Sequence, residues 1–291
     1  MSLTTRLVTI LVALMAAVPA WAQPAGRARG VGAPSRPAAG VDTARLAEID
    51  TLVEEAIAAK AMPGAVVVVG RGDTVLYQKA FGQRAVAPLA ELMTLDTVFD
   101  LASLTKVVAT TTAVMQLVER GQLRLNDPVA SWVPGFERYG KGDITIRHLL
   151  THVSGLRPDV DLGEPWQGYE AAIELAKDEV PQSRPGARFV YSDINFFLLG
   201  HIVGRVSGEP LERYVARHVF DPLGMTDTGF LPTVARIGRI APTERCRFLD
   251  AWPCRAPGEE PLRGMVHDPT ARRMGGVAGH AGLFSTARDL T

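Results

Sequence analysis

The chain has 291 residues, enough for one large domain or two lobes around a real core. Its 31 basic and 31 acidic side chains balance. No basic stripe or acidic tail stands out, which argues against nucleic acid as a partner.

Residues 1–22 read as a secretory signal peptide. Arg6 supplies the positive end, Leu7 to Val18 form a short apolar stretch broken only by Thr9, and Ala20-Trp21-Ala22 is a small-x-small cleavage site. The apolar run is short for a transmembrane helix, so the mature protein is expected to be periplasmic or secreted, with an uncleaved anchor as the alternative. Residues 23–42 are rich in Ala, Gly, Pro and Arg without a hydrophobic period and read as a disordered linker to a folded part at 43–291. The two cysteines, Cys246 and Cys254, are close enough in an exported chain to close a small disulfide loop.

The folded part opens with helical periodicity over Ala44 to Ala61, stopped by Pro63-Gly64. Ala65 to Val69 and Thr74 to Tyr77, joined across Arg71-Gly72-Asp73, predict a β-hairpin. Thr97-Val98-Phe99 then leads into Asp100-Leu101-Ala102-Ser103-Leu104-Thr105-Lys106 and a helix that runs to Gly121. Ser103 and Lys106, three residues apart near the first turn, share a helix face and pair a hydroxyl with an amine, a nucleophile beside a base.

Gly135 to Lys141 has the spacing of a phosphate-binding loop, but Gly142 stands where Ser or Thr is needed and no strand precedes it, so a surface turn is expected. Ile146 to His152 reads as a short helix. Its two histidines, His148 and His152, lack the intervening Glu of a zinc-protease motif and are read as structural. Tyr169 to Lys177 and Ile194 to Val206 predict helices, the latter apolar on most sides, and Pro210 begins another that reaches His218. Pro222 to Arg263 is turn-like. The cluster Gly275, Gly276, Gly279 and Gly282 implies tight turns or close backbone approach. No cluster of metal ligands and no cofactor motif is present, and no Gly-x-Ser-x-Gly elbow of an α/β-hydrolase.

Ser103-Leu104-Thr105-Lys106, then Leu149-Leu150-Thr151-His152-Val153-Ser154-Gly155-Leu156, then Pro185-Gly186 with Tyr191-Ser192-Asp193-Ile194-Asn195-Phe196, and Asp221-Pro222-Leu223-Gly224-Met225, occur in one order. Together they resemble the serine β-lactamase and penicillin-binding-protein-like hydrolases, in the branch of class C β-lactamases, D,D-peptidases and β-lactamase-like esterases. The resemblance implies an α+β fold, an antiparallel sheet flanked by helices plus a mostly helical lobe. It makes Ser103 the acylated nucleophile, with Lys106 taking its proton or holding the network that lets Tyr191 take it.

Two departures stand out. Asp193 occupies the place of the family's usual Asn and would favour a charged Lys106. His280-Ala281-Gly282 fits a variant of the family's third motif, which would put His280 and Gly282 at the substrate. However, Leu283 to Leu290, with Thr286 and Asp289 as a capping pair, resembles the helix start that precedes that motif by many residues. On this reading the third motif and its strands belong to a part of the domain beyond residue 291. The function implied is acyl-enzyme hydrolysis of a β-lactam, ester or D-Ala-D-Ala-type substrate derived from peptidoglycan. The alternative is a non-catalytic fragment or binding module of the same fold.

Overall fold

The computed structural model describes residues 42–243 and 261–291. The predicted leader at 1–22, residues 23–41 of the linker, and Cys246 and Cys254 lie outside the described residues. In chain order the elements are α1 (Glu48–Ala58), β1 (Gly64–Arg71), β2 (Thr74–Ala85), β3 (Glu91–Leu92), β4 (Val98–Asp100), α2 (Thr112–Glu119), α3 (Ile146–Leu150), α4 (Tyr169–Asp178), α5 (Asp193–Ser207), α6 (Leu211–Val215), α7 (Asp221–Leu223), β5 (Gly229–Phe230), α8 (Pro269–Arg273) and β6 (Leu283–Thr286). Among the described residues no helix is long and apolar enough to cross a membrane.

The strands form two antiparallel sheets, ordered β1-β2-β3 and β4-β6-β5. The predicted hairpin is present and longer than its β-branched core, with β2 running to Ala85. Pairing begins at Gly64 because a side chain there would overlap the backbone of Phe81 and Gln83.

The helical core is built around α5. Nine of its residues, Ile194 through Gly200 with Ile202 and Val203, are buried, as expected of a helix apolar on all sides. It packs against α2, α3, α4 and α6. Each fully buried Phe or Leu there contributes about 1.5–3 kcal/mol. Its one buried amide, Asn195, accepts from Ser154 Oγ at 2.7 Å and donates to the Leu149 carbonyl at 3.2 Å, fastening α3 and the Ser154 loop to α5. Gly208 in the left-handed region ends the helix. The glycine cluster does allow close approach: a methyl on Gly279 would overlap the Phe196 carbonyl, so backbone crosses backbone at this point.

Three expectations are corrected. Leu283–Thr286 is a strand, not the beginning of a helix. It pairs Val98 with Thr286 and Asp100 with Phe284 on one side and Gly229 with Phe284 on the other, and all four of its residues are buried. The capping bond does form, from Asp289 N to Thr286 Oγ1 at 3.2 Å, but it closes a turn after the strand. The segment after Ser103 is not a plain α-helix: a 3₁₀ turn over Ala102–Leu104 passes into a π-helical stretch, Lys106–Thr111, before α2. Lys141, at the end of the expected surface turn, is fully buried.

Candidate active site

Strand β4 delivers the chain to Ser103, and β6 holds it there. Leu101 N donates to the Leu283 carbonyl at 2.9 Å, and Leu283 N donates to Thr105 Oγ1 at 3.1 Å. The Asp100 carboxylate accepts from Ala102 N at 2.9 Å and from His267 N at 2.7 Å, and burial pushes its pKa up. Ala102 sits at φ +44, a left-handed position that a non-glycine residue rarely adopts. The bonds on both sides of it hold this bend, which presents Ser103 at the turn.

Lys106 follows one turn later, and its side chain is almost wholly buried. Its Nζ donates to Ser103 Oγ at 2.9 Å and to the His280 carbonyl at 3.1 Å. Asp193 Oδ1 lies 2.6 Å away as an ion pair. Two hydrogen bonds and one carboxylate contact thus surround the Lys106 amine. The π-helical stretch begins at Lys106 itself, and such stretches recur at functional sites.

Tyr191 borders this cluster. Lys106 Nζ stands 4.8 Å from the Tyr191 ring centroid and 5.8 Å from that of Phe196, within cation–π range. Tyr191 is 44% exposed while Lys106 is 3% exposed, so the phenol is the polar group of the pair that solvent and a ligand can reach.

The structure thus brings Ser103, Lys106, Tyr191 and Asp193 together, with His280 present through its backbone. The His280 imidazole is fully buried and turned away to Asp268, Nε2 to Oδ1 at 2.9 Å, while its Nδ1 has no hydrogen-bond partner among the described residues. Burial opposes a charge on His280, but the adjacent Asp268 carboxylate outweighs it and raises the imidazole's pKa. Burial likewise pushes Asp268 up, and the charge and hydrogen bond of His280 bring it down to about 2. Asp268 also caps α8 by accepting from Ala271 N. Gly282 makes no bond to Lys106. It takes φ +110 against the Gly276 carbonyl, which routes the backbone into β6.

Two contributors escaped the sequence reading. One is Asp268, whose carboxylate anchors the residue that holds Lys106. The other is His152, whose ring stacks on Tyr191 with centroids 4.5 Å apart. A detectable signal was its position just past a short helix, where Gly or Asn is usual.

Comparison with known proteins gives the family and the fold. The model of the Beta-lactamase family matches residues 49–291. A putative D-alanyl-D-alanine carboxypeptidase of Escherichia coli strain K12 is 32% identical over 276 residues, 87% of this chain and 63% of the relative. The chain therefore spans somewhat under two thirds of that relative's length. Among solved structures, EstCE1, described as a hydrolase with promiscuous acyltransferase activity, is 27% identical with a TM-score of 0.68, covering 85% of this chain and 71% of that one. A class C beta lactamase at 22% identity superposes with a TM-score of 0.69 over 87% of this chain and 65% of its own, and so shares the fold. With the family model spanning nearly the whole folded part, the chain belongs to the Beta-lactamase family of hydrolases.

Proposed function

We propose that the chain is the acyl-transfer part of an extracytoplasmic serine hydrolase, folded over 43–291 behind a signal peptide and linker, and that it acts on a D-Ala-D-Ala-type peptide, an ester or a β-lactam. The observation that carries this reading is the 2.9 Å bond between Ser103 Oγ and a buried Lys106 Nζ that is also held by Asp193 and the His280 carbonyl. Ser103 Oγ attacks the substrate carbonyl carbon and forms an ester, and the amine, alkoxide or ring nitrogen leaves. Water then hydrolyses the ester.

The Asp193 contact supports one of the two proton acceptors over the other. Lys106 directs N–H groups at Ser103 and the His280 carbonyl and has a carboxylate beside it, an arrangement that suits orienting the hydroxyl. Tyr191 takes the Ser103 proton, its anionic form stabilised by the nearby ammonium, and returns it to the leaving group. A peptidoglycan-derived peptide is the favoured substrate because the curated relative is named for D-alanyl-D-alanine carboxypeptidase activity.

Turnover of a D-Ala-D-Ala peptide, nitrocefin and a p-nitrophenyl ester, each with Ser103→Ala as control, tests the reading. Release of D-Ala by the natural chain and none by the variant is the expected result. Equal rates in both would remove Ser103 from the mechanism, and no turnover of any of the three would favour the binding-module alternative.

A further inference from the structure

Helix α3 ends in a turn that local structure alone would assign to glycine. His152 N donates to the Leu149 carbonyl at 3.2 Å and Val153 N to the His148 carbonyl at 3.0 Å, the paired bonds of a left-handed helix stop. The residue at the stop, His152, has φ +56. Glycine takes that conformation without cost and a side chain does not. An imidazole there needs a reason beyond the turn.

The reason is visible in its contacts. The His152 carbonyl accepts from Val190 N at 2.8 Å, and its Nδ1 accepts from Ser192 N at 3.0 Å. One residue therefore clamps the backbone immediately before and immediately after Tyr191. The His152 ring also lies on the Tyr191 ring, 4.5 Å between centroids and 27° from parallel. Phe196 at 5.1 Å and Phe189 at 5.7 Å, edge-on, fix the imidazole in turn. Burial, then the charge of Lys106, pull the His152 pKa down, with Asp193 opposing, which keeps Nδ1 free to accept. The positive φ is what lets carbonyl and ring reach the same extended segment.

We infer that His152 is a positioning residue that sets Tyr191 against the Lys106 ammonium, through a two-point clamp on residues 190 and 192 and a stacked ring. This rests on the acyl-transfer reading of Ser103, Lys106 and Tyr191. His152 touches no reacting atom and works only through Tyr191.

The test is the rate at which a fluorophosphonate probe phosphonylates Ser103 in the full chain, the serine Oγ–P bond forming as fluoride leaves, read by intact mass and peptide mapping, in four variants: His152→Gly, His152→Asn, Tyr191→Phe and the His152→Gly/Tyr191→Phe pair. Glycine suits the turn and offsets part of the packing and the hydrogen bond lost with the imidazole, so His152→Gly should still unfold cooperatively, while its labelling rate falls about 10²-fold, the scale of an ångström misplacement. In the Tyr191→Phe background the same change should cost little more. Asn tolerates the left-handed turn and offers an oxygen acceptor to Ser192 N, so His152→Asn should recover part of the rate. A His152→Gly protein labelled at the natural rate, or a loss that adds in full to that of Tyr191→Phe, overturns the positioning role alone. Absence of label on Ser103 in the natural chain overturns the acyl-transfer reading, and this inference with it.

Discussion

Among the described residues two lysines, Lys106 and Lys141, are buried, and their surroundings differ in kind. Lys141 Nζ donates to the carbonyls of Lys177 at 2.8 Å and Glu179 at 2.6 Å, with the rings of Phe136 and Tyr139 about it. Those carbonyls close the C-terminal end of α4, where a cation is stabilised by the helix dipole and by unpaired acceptors. Burial pulls the Lys141 amine down against the nearby charges of Asp178 and Glu179. Lys106 has one carbonyl, one hydroxyl and one carboxylate, and a half-exposed phenol at its edge. Burial of an amine is common to both. What separates the candidate site from a cap is a hydroxyl in the amine's shell and a polar ring that solvent can reach.

The sharpest way to break this contrast is to remove each lysine. Lys106→Ala should lower the acylation rate of Ser103 by about 10³-fold, the upper end of the range for loss of a preorganised electrostatic donor. An unchanged rate would place Lys106 with Lys141 as a structural cation. The next effect concerns the support behind Lys106. Asp268→Asn leaves buried His280 without its anion and should cost about 3 kcal/mol in urea unfolding near pH 5.

The sign of its pH dependence follows from the two shifts. His280 is raised, so its contribution is complete below the ordinary imidazole value of 6.5 and is lost as pH rises through the folded-state pKa. Asp268 is lowered, so its contribution is complete above the ordinary 3.8 and is lost as pH falls toward about 2. The stability gap between natural chain and variant should therefore be widest between about pH 4 and 6.5 and narrow at alkaline pH. A gap that widens as pH rises above about 6.5 would contradict the pairing.

Lys141→Met should destabilise by about 2 kcal/mol by stranding the two carbonyls of α4, with acylation per folded molecule unchanged. The smallest effect is expected for Asp193→Asn, which keeps an oxygen at the site and removes its charge. Losing the charge that lies 2.6 Å from Lys106 Nζ should slow acylation of Ser103 by about tenfold. An unchanged rate would mean that the carboxylate does not help hold Lys106 against Ser103.

Much of the site could be read from the sequence because its parts are local or ordered. Ser103 and Lys106 are three residues apart, a spacing that any helical start brings together. Tyr191 and Asp193 lie at the opening of α5, which announces itself by a long apolar run. The parts that escaped depend on backbone states and on pairings that no short window contains. His152 looked like a spare histidine because its importance lies in φ +56 and in bonds to a segment forty residues on. β6 carries Leu-Phe-Ser-Thr followed by a capping pair, which favours a helix start locally. Its conformation is set instead by β4, nearly two hundred residues earlier, and by complete burial between two strands. The π-helical stretch after Thr105 has ordinary helix-forming residues, and its register is legible only once Lys106 is seen reaching Ser103 and His280 together. Lys141 shows the converse, a motif-like lysine expected on a surface turn and found in the core.

The central claim is that Ser103 is the nucleophile. Its most direct test is the intact mass of the full chain after exposure to benzylpenicillin, followed by peptide mapping. An adduct of one penicilloyl group on the peptide containing Ser103, absent in Ser103→Ala, is the predicted result. An adduct that persists in Ser103→Ala, or that maps to another residue, would contradict it.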